Sequence, residues 1–283
     1  MSAIPVSERS GSTSRSIPVR RFHAPPLDGL RALAFLLVFL SHVPGLWFFP
    51  GGFGVTVFFF LSGYLITTLL RIEHEQTGGI DIARFFGRRF LRILPPYFLT
   101  LAVVWGAAAL GAFPRSDWQL EPLWWQALFA TNYRLVAVGA DGMVPGTEVY
   151  WSLAVEEHFY LLFPWVAVGL FAIRSGPVRG WTLLAGCAAV LAWRIALFTV
   201  LDPGDADRLT YATDTRIDSI LFGCALALGR NPVLDPPIGW ATRRPAWVLA
   251  AFGAAIVATL VPRDPLFRET IRYSLQGLLL IPV

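Results

Sequence analysis

Long apolar windows recur along the chain, most of them as long as a helix needs to be to cross a hydrocarbon layer of about 30 Å. A weaker window over 123–138 contains Trp124, Trp125 and Tyr133, residues that suit the headgroup level of a bilayer. The pattern predicts an all-α, polytopic transmembrane bundle with about eight spans and one re-entrant or interfacial segment at 123–138. The strong windows are 27–48, 52–71, 93–113, 149–173, 181–201, 211–229, 246–261 and 269–283.

Composition strengthens the membrane interpretation. The chain is 55% hydrophobic and 15% charged, with a mean hydropathy of +0.57, which is too apolar for a soluble domain. All 23 basic residues are arginines, so chemistry that needs a lysine nucleophile or Schiff base is excluded. The arginines lie at the ends of apolar windows and therefore indicate topology, with no nucleic-acid partner expected. The two cysteines have neither metal-ligand nor disulfide spacing, and no metal site is expected.

Arginine placement predicts the orientation of the spans. Residues 1–24 hold four arginines and no cleavable signal, and we expect a disordered cytoplasmic tail, followed by one transmembrane domain over 25–283. The arginine-rich connection at 71–92 is expected inside and the acidic loop at 202–214 outside. This alternation holds only if 123–138 does not cross. The last window stops at residue 283 without a polar flank, so we expect a chain truncated at its C-terminus.

The first window carries ionisable residues at both ends. Asp28 and Arg31 lie near its start, and His42 follows Arg31 by eleven residues, which is close to three helical turns, so the two side chains share one face. Charged groups in spanning helices are costly and normally face a bundle interior or a wet cavity. The alternative is that Arg31 extends to the headgroups while His42 caps a helix end.

The fourth strong window places a carboxylate inside the membrane. Ser152, Glu156 and Tyr160 form one stripe at helical spacing. The expected partners of Glu156 in the outer half are His42 and Arg216, which lies beside Asp218. A carboxylate that orients an imidazole lets histidine act as a general base, although a structural ion pair would use the same residues.

Arginines also gather at the predicted inner surface. Arg89 and Arg92 are neighbours at i,i+3 spacing on a basic amphipathic segment, and guanidinium groups suit phosphate oxygens. A phosphate-bearing ligand is one interpretation, and contact with anionic lipid headgroups is the other. Between the first two spans, Ser62 and Gly63 offer a small-residue seam where another helix can pack.

Several of these motifs together resemble the membrane acyltransferase-3 family. The resemblance covers roughly residues 26–230 and rests on five segments in a fixed order. By this resemblance, Arg31 and His42 match the family's motif of arginine, ten residues and histidine, Arg89 and Arg92 its paired arginines, and Glu156 the acid of its W-S-L-x-x-E motif. The five segments are LDGLRALAFLLVFLSHV, FFFLSGYLI, RRFLRILPPYFL, YWSLAVEEHFYLLFP and TRIDSILFGCALA.

The resemblance implies an O-acyltransferase of the cell membrane. It would move an acyl group, acetyl by expectation, from cytoplasmic acyl-CoA to a hydroxyl of a surface carbohydrate or glycosylated metabolite, with no bound cofactor. His42 and Glu156 are the expected catalytic residues, and His42 would act as base or as covalent acyl carrier. The expected substrate-binding residues are Asp28, Arg31, Arg89, Arg92, Ser152, Tyr160, Arg216 and Asp218. A transporter of glycans or lipids and a non-catalytic membrane scaffold are the rival interpretations.

Overall fold

The computed structural model describes residues 25–114, 117–200, 206–236 and 246–281, and the predicted N-terminal tail lies outside this range. All regular secondary structure in the described part is helical, which confirms the all-α class. A 3₁₀ turn at Thr147–Val149 leads into α6, and a π-helical turn at Phe267–Ile271 leads into α11. The helices are α1 Pro25–Ser41, α2 Gly51–Thr77, α3 Ile82–Ala109, α4 Glu121–Ala127, α5 Thr131–Val138, α6 Tyr150–Phe171, α7 Gly176–Val200, α8 Ala206–Tyr211, α9 Thr213–Gly229, α10 Ala246–Ala258 and α11 Arg272–Leu280.

Four helices in the described part are long and apolar enough to cross a membrane. They are α2, α3, α6 with its preceding 3₁₀ turn, and α7. The sequence predicted about eight spans, and the other windows form shorter helices: α1 and α9 have 17 residues each and α10 has 13. The membrane character of the chain is therefore supported, while the count of eight is not confirmed.

Contacts between helices fix their relative directions. Helix α2 runs parallel to α6, because contacts between the two advance together along both helices. By the same reasoning, the contacts between α2 and α9 show that these helices are parallel, and those between α7 and α9 show that they are antiparallel. The α2–α6 contacts are Phe59 with Trp151, Ser62 with Tyr160 and His74 with Phe171.

The segment at 123–138 forms no spanning helix. It folds into α4 and α5, of 7 and 8 residues, separated by a turn at Phe129 with φ +54°. Each helix rises only about 10–12 Å, well short of a bilayer core of about 30 Å. Because α2 and α6 are parallel and α3 lies between them in the chain, the connection from α3 to α6 starts and ends at the same end of the bundle. The sequence prediction of a non-crossing segment agrees with this geometry.

Glycines bring the backbones of α2 and α9 together. A Cβ at Gly63 would lie 2.0 Å from the carbonyl oxygen of Ile220, and a Cβ at Gly223 would lie 2.0 Å from that of Phe60. The small-residue seam predicted at Ser62 and Gly63 is therefore a helix contact. Around it pack the buried apolar residues of α2, α6 and α9 that form the main core, among them Phe59, Ile66, Phe159, Ile220 and Leu228.

We expect Gly63→Ala to destabilise the bundle by about 1–3 kcal/mol, because the added methyl meets a backbone carbonyl that cannot rotate away. Gly106→Ala in α3 is the matched control, since its Cβ would meet nothing within 4 Å. It should leave stability unchanged or raise it, because alanine favours the helix. Thermal unfolding in detergent compares the two. Equal melting temperatures in both variants would show that the close α2–α9 contact does not hold the fold.

Candidate functional site

A polar cluster lies where α2, α3 and α6 meet within the bundle. The Ser62 hydroxyl and the buried Tyr160 hydroxyl are in hydrogen-bond contact, and the carboxyl group of Glu156 also hydrogen-bonds Ser62. From α3, the Arg89 guanidinium lies over the Tyr160 ring with its Cζ 4.8 Å from the ring centroid. Glu156 and Tyr160 are one turn apart on α6, so the helix itself presents both groups to Ser62 and Arg89.

Arg31 joins this cluster electrostatically. Glu156 interacts with the charges of both Arg89 and Arg31, which lie on different helices. The sequence had assigned these arginines to an inner layer and Glu156 to the outer half, and in the structure the charges of both arginines act on this carboxylate. Asp28, one turn before Arg31, is 3.8 Å from it and largely exposed, which makes their ion pair a weak surface contact.

Contacts of Glu156 thus differ from those predicted. Its neighbours are Ser62, Arg89 and Arg31, and no recorded contact joins it to His42 or Arg216. The reason is the short first helix: α1 ends at Ser41, and Ser41 packs at Gly51, the first residue of α2. His42 therefore lies at the start of α2, whereas Glu156 contacts Ser62, eleven residues further along that helix. Catalytic hydrogen bonds can tighten on substrate binding, so the roles of His42 and Glu156 stay predictions.

His42 itself is exposed and its ring is oriented by the backbone. Nδ1 lies 2.8 Å from the carbonyl oxygen of Val38 and 3.3 Å from the Ser41 hydroxyl oxygen. A carbonyl oxygen only accepts, so this contact assigns the proton of the neutral ring to Nδ1. Nε2 then carries the free lone pair, and the ring is set up to take a proton from outside the helix.

A groove of about 200 Å³ opens beside the cluster, between α3, the turn after α4 and α6. Arg89 and Tyr160 line it together with Glu157 and His158. His158 is held by Thr213, with Nδ1 2.7 Å from the threonine hydroxyl oxygen. Apolar side chains form the rest of the wall, so the groove combines a few polar groups with an apolar lining, as small-ligand sites do.

The remaining predicted residues lie elsewhere. Arg92 is exposed, near enough to Arg89 for their charges to repel, and the Ser152 hydroxyl donates to the carbonyl of Val149 at 3.2 Å within its own helix. Neither residue contacts the Glu156 carboxyl group in the described part of the chain. Arg92 faces out where a ligand could meet it, while Ser152 is occupied by a local hydrogen bond.

Arg216 and Asp218 belong to a fully buried network between α2, α7, α9 and α11. Asp218 is 2.6 Å from Arg194 and accepts a hydrogen bond from Ser274 at 2.5 Å, and neither member of the ion pair is exposed to solvent. Arg216 lies over the Tyr273 ring, with its Cζ 3.6 Å from the centroid. The geometry is that of a structural core, which sets Asp218 apart from the site at Glu156.

Three members of these sites were not predicted. Ser62 had been assigned to packing, although a serine in the apolar run FFFLSGYLI was a visible signal of a polar contact. Glu157 was placed off the functional stripe, yet it lines the groove. Arg194 stood alone in the apolar seventh helix, and an isolated intramembrane arginine requires a buried partner.

The model of an acyltransferase family, Acyl_transf_3 (Acyltransferase domain), matches residues 26–281. The chain belongs to this acyltransferase-3 family. The family assignment made from the five sequence segments is thereby confirmed.

Named relatives of this acyltransferase-3 chain include three bacterial proteins. "Putative peptidoglycan O-acetyltransferase YrhL" of Bacillus subtilis (strain 168) is 35% identical over 225 residues, covering 73% of this chain and 33% of that protein. "Putative O-acetyltransferase SACOL0978" of Staphylococcus aureus (strain COL) is 32% identical, covering 76% and 37%. "O-acetyltransferase OatA" of Staphylococcus aureus (strain NCTC 8325 / PS 47) is 32% identical, covering 72% and 34%.

The acyltransferase-3 chain thus spans about a third of the length of the curated relatives it matches. No solved structure matches it.

Proposed function

We propose that the protein is a membrane-embedded O-acyltransferase that moves an acetyl group from cytoplasmic acyl-CoA to a hydroxyl of a surface carbohydrate such as peptidoglycan. The observation that carries the proposal is the cluster at Glu156, where the charges of two arginines from different helices act on a carboxylate inside an apolar bundle. A helical membrane scaffold has no need of such a cluster, whose charges are costly in a membrane. Family membership and the names of the relatives support O-acyl transfer.

The reaction needs a base, a site for the thioester and stabilisation of developing charge. His42 would take the proton of the acceptor hydroxyl at Nε2 as the hydroxyl oxygen attacks the thioester carbonyl carbon. The carbon–sulfur bond then breaks as the ester forms, and protonated His42 would return its proton to the leaving sulfur, so that coenzyme A leaves as the thiol and the histidine is neutral again. Arg89, which lies over Tyr160 on the donor side of His42, would bind the donor while its thioester extends toward His42.

We propose that the inner ends of the helices face the cytoplasm of a bacterial cell and that eight helices cross its membrane. In this arrangement α1, α9, α10 and α11 cross as well, with the shorter helices completed by flanking residues. The parallel directions of α2, α6 and α9 support the alternation. Donor and acceptor would then approach from opposite sides, the donor from the arginine-rich side.

The function is tested by incubating membrane vesicles with acetyl-CoA labelled in the acetyl group and with peptidoglycan fragments. Label should enter the fragments and be released by mild base, as an ester is. Membranes without the protein are the control. Label that never reaches a carbohydrate, together with transport of intact glycan across the vesicle, would assign the protein to the transporter class.

Arg89 and Arg92 would bind the donor. We expect the double variant Arg89→Lys, Arg92→Lys to raise the KM for acyl-CoA by about tenfold or more and the KM for the acceptor little, because lysine keeps the charge and loses the forked geometry. Initial rates at varied donor and acceptor concentrations measure this. Unchanged donor KM and kcat would show that the two arginines contact only lipid.

A further inference from the structure

A second cavity in the described part of the chain lies away from Glu156. It measures about 670 Å³ and opens where α2, α6 and α9 end and α7 begins. Four arginines and two carboxylates line it, together with His74. The arginines are Arg71, Arg174, Arg179 and Arg230, and the carboxylates are Glu75 and Asp235.

Both carboxylates accept hydrogen bonds from the same arginine. Arg71 donates from Nε to Glu75 at 2.7 Å and from Nη1 to Asp235 at 2.9 Å. The hydrogen bond from Arg71 holds the pKa of Asp235 below its ordinary range, so this carboxylate is charged at neutral pH. Both carboxylates are therefore hydrogen-bonded to Arg71, although the charge of Glu75 also acts on Arg179 and that of Asp235 on Arg230.

The other three arginines have no ion pair among the described residues. Arg179 donates to the backbone carbonyls of Ile173 and Phe171 and lies over the Phe171 ring, and its charge is repelled by Arg71 and attracted by Glu75. Arg230 is exposed and makes one contact, a 3.3 Å hydrogen bond to the carbonyl of Pro236. Arg174 is exposed and has no recorded contact.

Four arginines against two carboxylates give this cavity an excess of positive charge, which favours an anion. Their forked donors fit phosphate oxygens, and the cavity is large enough for more than one phosphate group. The first turn of α7, which has 25 residues, begins at the wall of this cavity, because Gly176 and Pro177 line it, so the positive end of that helix dipole lies beside the cavity.

We propose that this cavity, lined by Arg174, Arg179 and Arg230, binds the phosphate groups of an organic phosphate. Two sources share that chemistry: the nucleotide end of an acyl-CoA donor and the headgroup of an anionic lipid. Phe171 stacks on His74 in the cavity wall and lies eleven residues of α6, about 16 Å, from Tyr160. A long ligand held here by its phosphates could therefore reach Arg89 with its other end. That the bound phosphate belongs to the acyl-CoA donor rests on the proposed function, whereas phosphate binding itself does not.

The test measures binding of coenzyme A and of dephospho-coenzyme A, which lacks the 3′-phosphate, by calorimetry on the protein in phosphatidylcholine nanodiscs. The variant is Arg174→Gln with Arg230→Gln, two exposed positions with little structural role. The matched control is Arg84→Gln, an exposed arginine on α3 outside the cavity. We expect about a tenfold loss of coenzyme A affinity for each arginine removed, a weaker wild-type affinity for dephospho-coenzyme A, and no change in the control.

A second measurement, on bound lipid, distinguishes an acyl-CoA ligand from a lipid headgroup. Phosphatidylglycerol retained on the protein is measured by native mass spectrometry after extraction from anionic nanodiscs. Loss of retained lipid in the double variant with unchanged coenzyme A affinity would assign the cavity to the headgroup. The proposal is overturned if the double variant keeps its melting temperature and shows neither weaker coenzyme A binding nor less retained lipid. Both arms measure binding without turnover, so a protein that binds phosphate here but transfers no acyl group would contradict only the proposed function.

Discussion

His42→Ala should abolish acyl transfer while leaving the protein folded. A positioned general base contributes about 10²- to 10⁴-fold to the rate, and an acyl carrier would be lost completely. The fold should survive because His42 is exposed and its ring contacts only Val38 and Ser41. The measurement is the labelled transfer rate at saturating donor, with the melting temperature measured alongside.

A second variant makes the assignment of the base specific. His158 lies in the groove with Arg89 and Glu157, and is the other histidine near the candidate site in the described part of the chain. His158→Gln can still hydrogen-bond Thr213, and we expect it to retain transfer. Loss of transfer in His158→Gln, with normal transfer in His42→Ala, would assign the base to the groove. Mass spectrometry of protein incubated with donor alone then separates base from carrier, because only a carrier gains acetyl mass at His42.

The elements of the fold could be predicted because they depend on local pattern. Apolar length located the long helices α2, α3, α6 and α7, and the arginine balance indicated that 123–138 stays on one side. Hydropathy could not define the end of α1. The window ran to residue 48, whereas the helix stops at Ser41, before Pro44 and Gly45, and Gly45 adopts φ +86°. Proline and glycine so close together end a helix even in an apolar run.

The side-chain pairs of the site depend on long-range packing, which a single sequence does not encode locally. The sequence places His42 and Glu156 in the same half of the membrane, and they were predicted to be partners on the basis of that depth alone. What decides the pairs is the register of α2 against both α1 and α6. Gly54 lies against Ala34, and Ser62 lies against Tyr160. This register brings Glu156 within range of the charges of Arg31 and Arg89. Residue types indicated that a charged cluster exists, and packing selected its members.

Asp218 was predicted from the sequence to bind substrate, but in the structure its side chain is completely buried. Asp218 and Arg194 are both completely buried and 2.6 Å apart, and Asp218 also accepts from Ser274 and from the backbone N–H of Ser219. Removing one member of a buried ion pair leaves the other charge without compensation in a medium that solvates it poorly. We therefore expect Asp218→Asn to destabilise the protein by about 3–5 kcal/mol.

The matched control is Asp214→Asn, one turn earlier on α9. Asp214 also pairs with an arginine, Arg208 at 2.6 Å, but its side chain is 41% exposed. An exposed pair contributes at most about 1 kcal/mol, so this variant should melt close to the wild type. Thermal unfolding of both in detergent, followed by size-exclusion chromatography, gives the comparison. An Asp218→Asn protein that melts like the wild type and shows a raised acceptor KM would return Asp218 to the substrate site. Early unfolding of Asp218→Asn, with a normal Asp214→Asn, would establish that the buried network between α7, α9 and α11 holds the bundle on which Glu156 and Arg89 are positioned.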